Sequence, residues 1–246
     1  MAVHDFTSER LFLEASLAPD ASLTLTSEQA HYLLNVLRMS AGGEILIFNG
    51  RDGEWRARLE DVTKRAASLR VMEQIRPQSD GPAIHYLFAP LKHARLDYMI
   101  QKAVEMGVAR LSPVMTHRTV PGRVNAERMR RNAIEAAEQC GVLRVPEIDD
   151  IAPLAKSLDA WDPDCPLIFC DEDAAVTNPV SALEMLKPGP VGVLIGPEGG
   201  FDAEERRLLL SKSFVTAISL GPRIMRADTA AVAALTLVNA TLGDWR

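Results

Sequence analysis

The stretch VGVLIGPEGGFDAEE (residues 191–205) indicates how this chain folds. Five mostly apolar residues are typical of a buried strand, and they end abruptly at the glycine-rich loop GPEGG (196–200). Asp202, followed three positions later by Glu205, then predicts the start of a helix. A strand that ends in such a loop before a helix commonly presents its backbone to a ligand.

The same pattern occurs again in AISLGPRIMRADTAAVAAL (217–235), where Leu220-Gly221-Pro222 repeats Ile195-Gly196-Pro197. Glycine lets a flat ligand approach the backbone, and proline stiffens the loop. Neither loop is of the GxxxxGK[ST] type, and no GxGxxG occurs in the chain, so a nucleotide-phosphate loop is disfavoured. Two rigid loops lined by backbone could instead hold a nucleoside. The alternative is a pair of ordinary strand-to-helix turns.

Apolar strands and amphipathic helices alternate through the second part of the chain. Further strands are predicted at 84–89, 111–115, 167–170 and 215–220, with helices at 95–106, 127–140, 203–211 and 229–242. This alternation predicts an α/β fold with a mostly parallel sheet flanked by helices. Ligands bind at the carboxyl ends of the strands in such sheets, where both GP loops are expected.

The first part of the chain has a different pattern. A capping box at Thr26–Gln29 predicts one helix, and short strands are predicted at 44–48, 55–59 and 67–75. Residues 76–82 are polar and contain proline and glycine, as expected of a linker. The sequence therefore predicts a small β-rich domain at residues 1–76 and an α/β domain at residues 77–246.

The overall charge disfavours general attraction to nucleic acid, because 33 acidic residues outnumber 27 basic ones. Residues 110–131 nevertheless form a strongly basic segment, and arginine suits contacts with phosphates. The candidate nucleic-acid-binding residues in this segment are Arg118, Arg123, Arg128 and Arg131. A solvated helix face would explain Arg128 and Arg131 equally well.

The spacing of the cysteines and histidines indicates the cellular compartment and bears on metal binding. The three cysteines have no CxxC spacing, which is typical of a reducing cytoplasm, and the five histidines lack metal-ligand spacing. We therefore predict a cytoplasmic protein without a metal. No apolar run reaches the length of a membrane span, so no membrane association is expected.

The two loops also carry a family resemblance. LIGPEGGF (194–201) and LGPRIMRADTA (220–230) resemble the signature loops of the ribosomal RNA small subunit methyltransferase E family, of the SPOUT class. The resemblance continues through NVLRMSAGGEILIFNG (35–50), IQKAVEMGV (100–108) and AAEQCGVLRVPEI (136–148). It implies a PUA-like β-barrel followed by a trefoil-knotted α/β domain, in a homodimer. It further implies that S-adenosylmethionine is the methyl donor and that the substrate is N3 of a uridine in small-subunit (16S) ribosomal RNA, free or within the assembled subunit.

The resemblance also implies which residues form the site. The expected cofactor-binding residues are Leu194, Gly196, Pro197, Glu198, Gly199, Leu220, Gly221, Ile224 and Met225. Ile224 and Met225 would provide an apolar wall for adenine, although core packing is the alternative for both. Glu198 would orient the cofactor or face its sulfonium, unless it only favours the nearby helix N-terminus.

The basic and acidic residues of the second loop are the candidates for catalysis. Arg226 is expected to stabilise the charge that develops on the base as N3 loses its proton, and Arg223 to bind phosphate or assist. For both arginines the alternative is a surface ion pair. Asp228 would orient Arg226 or act as a base, or would instead be the N-cap of the following helix. The family commonly has Glu at this position and Leu in place of Met225.

A function without catalysis is the alternative to the methyltransferase. The chain could be an RNA-binding ribosome-assembly factor, in which a β-rich domain is joined to a catalytically silent α/β domain. Arg226 and the two intact GP loops favour the enzyme. Binding of the methyl donor distinguishes these two hypotheses.

Overall fold

The computed structural model describes residues 8–63, 66–119, 124–175 and 177–245. Arg123, one of the predicted RNA-binding residues, lies outside them. The chain divides into two units, of which the first comprises residues 1–80 and 137–144 and the second comprises residues 81–136 and 145–246. The association of residues 137–144 with the first unit is not predicted by the sequence.

The first unit is built on a five-stranded sheet. Its strands are β1 (Arg10–Phe12), β2 (Ser22–Thr24), β3 (Glu44–Phe48), β4 (Glu54–Glu60) and β5 (Ser68–Arg76). Their order in the sheet is β1-β3-β4-β5-β2. β1 pairs with β3 in parallel, and the other neighbours are antiparallel. A short helix, α1 (Ser27–His31), carries the predicted capping box at Thr26 and continues into a π-helical turn at Tyr32–Val36.

The second unit contains a seven-stranded sheet in which every described pairing is parallel. The strands are β6 (Ile84–Phe88), β7 (Val108–Met115), β8 (Glu147–Ile148), β9 (Ala152–Pro153), β10 (Leu167–Cys170), β11 (Val191–Ile195) and β12 (Val215–Ile218). Their order in the sheet is β12-β10-β11-β6-β7-β8, and β9 also pairs with β7.

The remaining helices follow the strands along the chain. They are α2 (His93–Glu105), α3 (Ala126–Cys140), α4 (Leu154–Asp159), α5 (Pro179–Glu184), α6 (Ala203–Leu210) and α7 (Ala227–Thr241). The C-terminal helix α7 contacts α2, α5 and β11. No helix in the described part of the chain is long and apolar enough to cross a membrane.

The quoted stretch folds as its pattern predicts. All five residues of β11 are buried, as expected of a strand covered on both faces. Asp202 caps α6 through a capping box with Glu205, so this prediction is confirmed. The α/β fold class with a mostly parallel sheet is confirmed as well, whereas the trefoil knot stays a prediction. The short elements β1, β2, β8, β9, α4 and α5 were not predicted.

Candidate active site

A cleft of about 360 Å³ opens at the carboxyl ends of β10, β11 and β12. These three strands are neighbours in the order β12-β10-β11 and run in parallel, so their following loops meet at one edge of the sheet. The cleft is lined by residues 170–173 after β10, 195–198 with 200–201 after β11, and 219–225 after β12. Both GP loops therefore lie in the same cleft.

Close backbone packing shapes the first GP loop. Gly200 has φ +69°, and its N–H donates to the carbonyl of Pro197 over 2.9 Å. A Cβ on Gly200 would lie 2.1 Å from Oε1 of Glu172, and one on Gly196 would lie 2.5 Å from the ring of Phe201. Only glycine fits at these two positions without displacement of a neighbour.

The second GP loop is also a tight turn. Gly221 has φ +105°, and its N–H donates to Oγ of Ser219 over 3.2 Å. A Cβ built on Gly221 would meet no heavy atom within 4 Å, so the space beside it is open. Backbone therefore borders the cleft at this position.

Most of the predicted cofactor-binding residues lie on the wall of the cleft. These are Gly196, Pro197, Glu198, Leu220, Gly221, Ile224 and Met225. Leu194 instead lies in the hydrophobic core under the sheet and is fully buried. Gly199 does not line the cleft and faces the side chain of Arg118. Core packing is excluded for Ile224, because the residue is 94% exposed.

The loop after β10 is a third wall that the sequence reasoning missed. It brings Asp171, Glu172 and Asp173 to the cleft, together with Arg206 of α6. Asp171 is buried, and its Oδ2 accepts from Nε of Arg206 over 2.9 Å. Its Oδ1 accepts from the N–H of Asp173 over 3.1 Å. The signal was present in the sequence, because these acids directly follow a predicted strand of the parallel sheet.

The charged residues of the cleft differ in their pairing. Glu198 forms an ion pair with Arg95, which lies in the first turn of α2. Arg223 and Glu172 line the cleft and pair with no side chain in the described part of the chain. Burial raises the pKa of the Cys170 thiol to about 12, so this residue is a neutral thiol at physiological pH.

Arg226 and Asp228 lie at the start of α7. Arg226 is exposed, occupies the N-cap position, and has no ion-pair partner among the described residues. The interpretation of Asp228 as the N-cap is wrong, because α7 begins at Ala227 and Asp228 lies in its first turn. Oδ1 of Asp228 accepts from the N–H of Thr229 over 2.9 Å. Asp228 makes no described contact with Arg226, so it does not orient the guanidinium in this structure.

The predicted RNA-binding arginines have different environments. Arg118 donates from Nη1 to the carbonyl of Gly199 over 2.7 Å. Arg128 donates from Nε to Oδ1 of Asp97 over 3.0 Å, as expected for a solvated ion pair on a helix face. Arg131 is exposed on α3 and pairs with no acid among the residues that the structure describes.

One cluster of side chains has the composition of a metal site. Ligand atoms of His117, Asp202 and Glu205 lie within 4.8 Å of one another. Asp202 and Glu205 are the capping box of α6, and Oε1 of Glu205 accepts from the N–H of His117 over 2.8 Å. Nδ1 of His117 contacts Asp202, and this hydrogen bond raises the pKa of the imidazole. The three side chains of this cluster therefore already take part in hydrogen bonds at the N-terminus of α6.

Two protein families match consecutive parts of the chain. Residues 79–239 match the family described as RNA methyltransferase domain, and residues 25–72 match RNA methyltransferase PUA domain. The ribosomal RNA small subunit methyltransferase E of Rickettsia conorii is 30% identical over 231 residues, which are 93% of this chain and 94% of that protein. The protein of the same name from Synechocystis is 30% identical over 95% of this chain and 78% of its own length.

Solved structures have the same architecture. A putative methyltransferase from Legionella pneumophila, in complex with the bound cofactor SAM, superposes with a TM-score of 0.84. It is 29% identical and the match covers 96% of this chain and 99% of that one. A ribosomal RNA small subunit methyltransferase E from Neisseria gonorrhoeae, bound to S-adenosyl methionine, also gives 0.84 at 26% identity, covering 97% and 100% of the two chains.

Proposed function

This chain belongs to the ribosomal RNA small subunit methyltransferase E family, and from that premise we propose that it methylates N3 of one uridine in small-subunit ribosomal RNA with S-adenosylmethionine. The observation that carries the proposal is the cleft in which both GP loops and the acidic loop after β10 meet. Enzymes of α/β class hold their ligands at this edge of the sheet.

The residues of the cleft fit the cofactor. A cleft of about 360 Å³ lies within the range that holds nucleoside-sized ligands. Its apolar wall of Ile195, Leu220 and Met225 suits a flat ring. Its carboxylates, above all Glu172, which pairs with no side chain that the structure describes, suit the positive charges of a sulfonium and an ammonium group. When bound, the cofactor supplies an electrophilic methyl group.

We assign separate tasks to the residues of the two loops. Backbone groups around Gly196 and Gly221 hold the nucleoside, and the ion pair between Arg95 and Glu198 fixes the first loop. Arg226 directly follows Met225 of the cleft wall and pairs with no acid among the described residues, so its guanidinium is available to stabilise negative charge on O2 or O4 of the uracil. Arg223 lines the cleft and is the candidate for the adjacent phosphate.

The substrate must present an accessible base. N3 of uridine takes part in Watson–Crick pairing, so the target has to be single-stranded or flipped out of a helix. We propose that the β-rich first unit, which matches the PUA domain, binds the RNA around the target uridine, and that it does so in the cytoplasm. We also propose a homodimer, in which two chains offer a wider surface to a structured RNA.

The experiment that tests the proposal maps modified nucleotides in small-subunit ribosomal RNA from a strain that lacks the gene. Mass spectrometry should find one uridine that loses its N3 methyl group and regains it when the wild-type gene is returned. If the methyl group that is lost in the deletion strain and regained with the gene lies on any atom other than N3, the assignment to N3 is refuted. A protein that binds this RNA but shows no heat of binding with S-adenosylmethionine would be the silent assembly factor instead.

A further inference from the structure

The turn at Thr116–Thr119, directly after β7, is held in place by its own hydrogen bonds. The N–H of Thr119 donates to the carbonyl of Thr116 over 3.1 Å, and the N–H of Thr116 donates to Oγ1 of Thr119 over 3.0 Å. Both threonines are buried, and their hydroxyl groups lie 2.7 Å apart. The turn therefore keeps its shape without help from the exposed Arg118.

A second set of contacts docks this turn on the N-terminus of α6. Oε1 of the buried Glu205 accepts from the N–H of His117, and the imidazole of His117 contacts Asp202. Asp202 and Glu205 form the capping box of the helix that directly follows the first GP loop. The turn is thus anchored to the end of this loop through groups other than Arg118.

Arg118 makes the contact with the loop itself. Its Nη1 donates to the carbonyl of Gly199 over 2.7 Å. Its Cβ and Cδ lie 3.5 Å from where a Cβ of Gly199 would be. Gly199 is flanked by Glu198 and Gly200, which both line the cleft. The arginine therefore contacts the loop at a residue that does not itself line the cleft.

Most of the N–H donors of the Arg118 guanidinium are available to a ligand in the structure as described. Arginine has five N–H donors, and the structure describes one hydrogen bond from this side chain. No carboxylate in the described part of the chain pairs with it, in contrast to Arg128, which pairs with Asp97. An exposed guanidinium with an open edge is suited to a phosphate oxygen.

We propose that Arg118 couples cofactor binding to RNA binding: one end of its guanidinium positions the Gly199 carbonyl of the cofactor loop, and its open edge takes a phosphate of the RNA. The inference rests on the proposed function, because it needs both ligands. A phosphate that immobilises this side chain also immobilises its contact with the loop, so each ligand favours the other. Such coupling is reciprocal by thermodynamic necessity.

Calorimetry with S-adenosylhomocysteine, which lacks the transferable methyl group, tests the first half of the proposal. Arg118→Ala should weaken this affinity by about three- to tenfold, since one hydrogen bond from a charged group is lost. The matched control is Arg207→Ala, which removes an exposed arginine that also donates to a backbone carbonyl, that of Ala203. The control should bind like the wild type. Unchanged affinity in Arg118→Ala would overturn the positioning role.

Repeating the titration with deproteinised small-subunit ribosomal RNA tests the coupling. In the wild type and in Arg207→Ala the RNA should tighten cofactor binding by on the order of fivefold, and in Arg118→Ala it should not. Equal coupling in all three proteins would overturn the proposal. A wild type that binds neither ligand would contradict the proposed function instead, so the two failures are distinguishable.

Hydrogen exchange on the wild type covers the case in which Arg118→Ala does not fold. Addition of the same RNA, without cofactor, should slow exchange of the amides at 199–201. Protection of those amides supports the coupling through Arg118, and unchanged exchange with bound RNA contradicts it.

Discussion

At Gly221 a single residue decides whether backbone can border the cleft. Its φ of +105° is a backbone conformation that residues with a Cβ rarely adopt, and the space beside it is open. Gly221→Val should therefore abolish measurable cofactor binding, since the branched side chain strains the turn and projects into the space of the ligand. The backbone strain is of order 1–3 kcal/mol, which the fold is expected to tolerate.

The matched control for that variant is Gly42→Val. Gly42 also has a positive φ, +86°, and a Cβ there would meet nothing within 4 Å, but it lies in the first unit and does not line the cleft. Calorimetry should show loss of binding in Gly221→Val alone. Similar affinities in the two variants would mean that the nucleoside does not approach the second loop.

A substitution at Arg226 should affect catalysis without affecting cofactor binding. The residue lies outside the wall of the cleft and lacks an ion-pair partner among the described residues. Arg226→Ala should bind S-adenosylmethionine nearly as the wild type does, while methylation slows on the order of 100-fold, the usual cost of one lost electrostatic contact to a transition state. A filter assay with labelled methyl donor measures the rate. Near-normal turnover would remove Arg226 from the mechanism.

Pairing between strands places a histidine in an unusual environment. Nε2 of His85 in β6 lies 2.6 Å from Oγ of Ser112 in β7, and its ring stacks on Trp161 with centroids 4.8 Å apart. Ser112 also contacts Asp149, which pairs with Arg110. Burial, reinforced by the charge of Arg110, lowers the pKa of His85 from 6.5 to about 4. The imidazole is therefore neutral at physiological pH.

This shift predicts acid sensitivity of the second unit. Below pH 6.5 the unfolded chain binds a proton at His85 that the folded chain does not bind until about pH 4, so stability falls as the pH drops through this window. The full difference corresponds to about 3 kcal/mol. His85→Gln should remove this share of the pH dependence. Denaturant unfolding at pH 7 and pH 4.5 measures it, and identical pH slopes for variant and wild type would count against the assignment.

At the scale of the whole molecule, the proposed homodimer offers a test of shared sites. If the RNA-binding surface of one subunit serves the cleft of the other, Arg226→Ala mixed with an Arg123→Glu/Arg131→Glu chain should recover activity. Random assembly gives half heterodimers with one complete site each, so roughly a quarter of wild-type activity is expected. Each variant alone is the control. A mixture without recovery would show that every subunit works by itself.

Local physical rules determined much of this protein from its sequence. The capping boxes at Thr26 and Asp202 and the buried strands β10 and β11 depend on residues that are neighbours in the chain, and the structure has them as predicted. The two GP loops were identified for the same reason, since a glycine-rich stretch between a strand and a helix is visible within a few residues. The family resemblance added the cofactor and the reaction to this local information.

The tertiary structure decided which distant segments of the chain meet, because this depends on the order of the strands. Only the arrangement β12-β10-β11 brings the acidic loop after β10 into the cleft with both GP loops, because parallel neighbours end at a common edge. Only the fold shows that Arg118 supports Gly199, which is 81 positions away along the chain. It likewise buries Leu194 in the core and leaves Ile224 exposed. Sequence patterns record which face a residue prefers, whereas contacts between distant segments depend on how the strands are ordered.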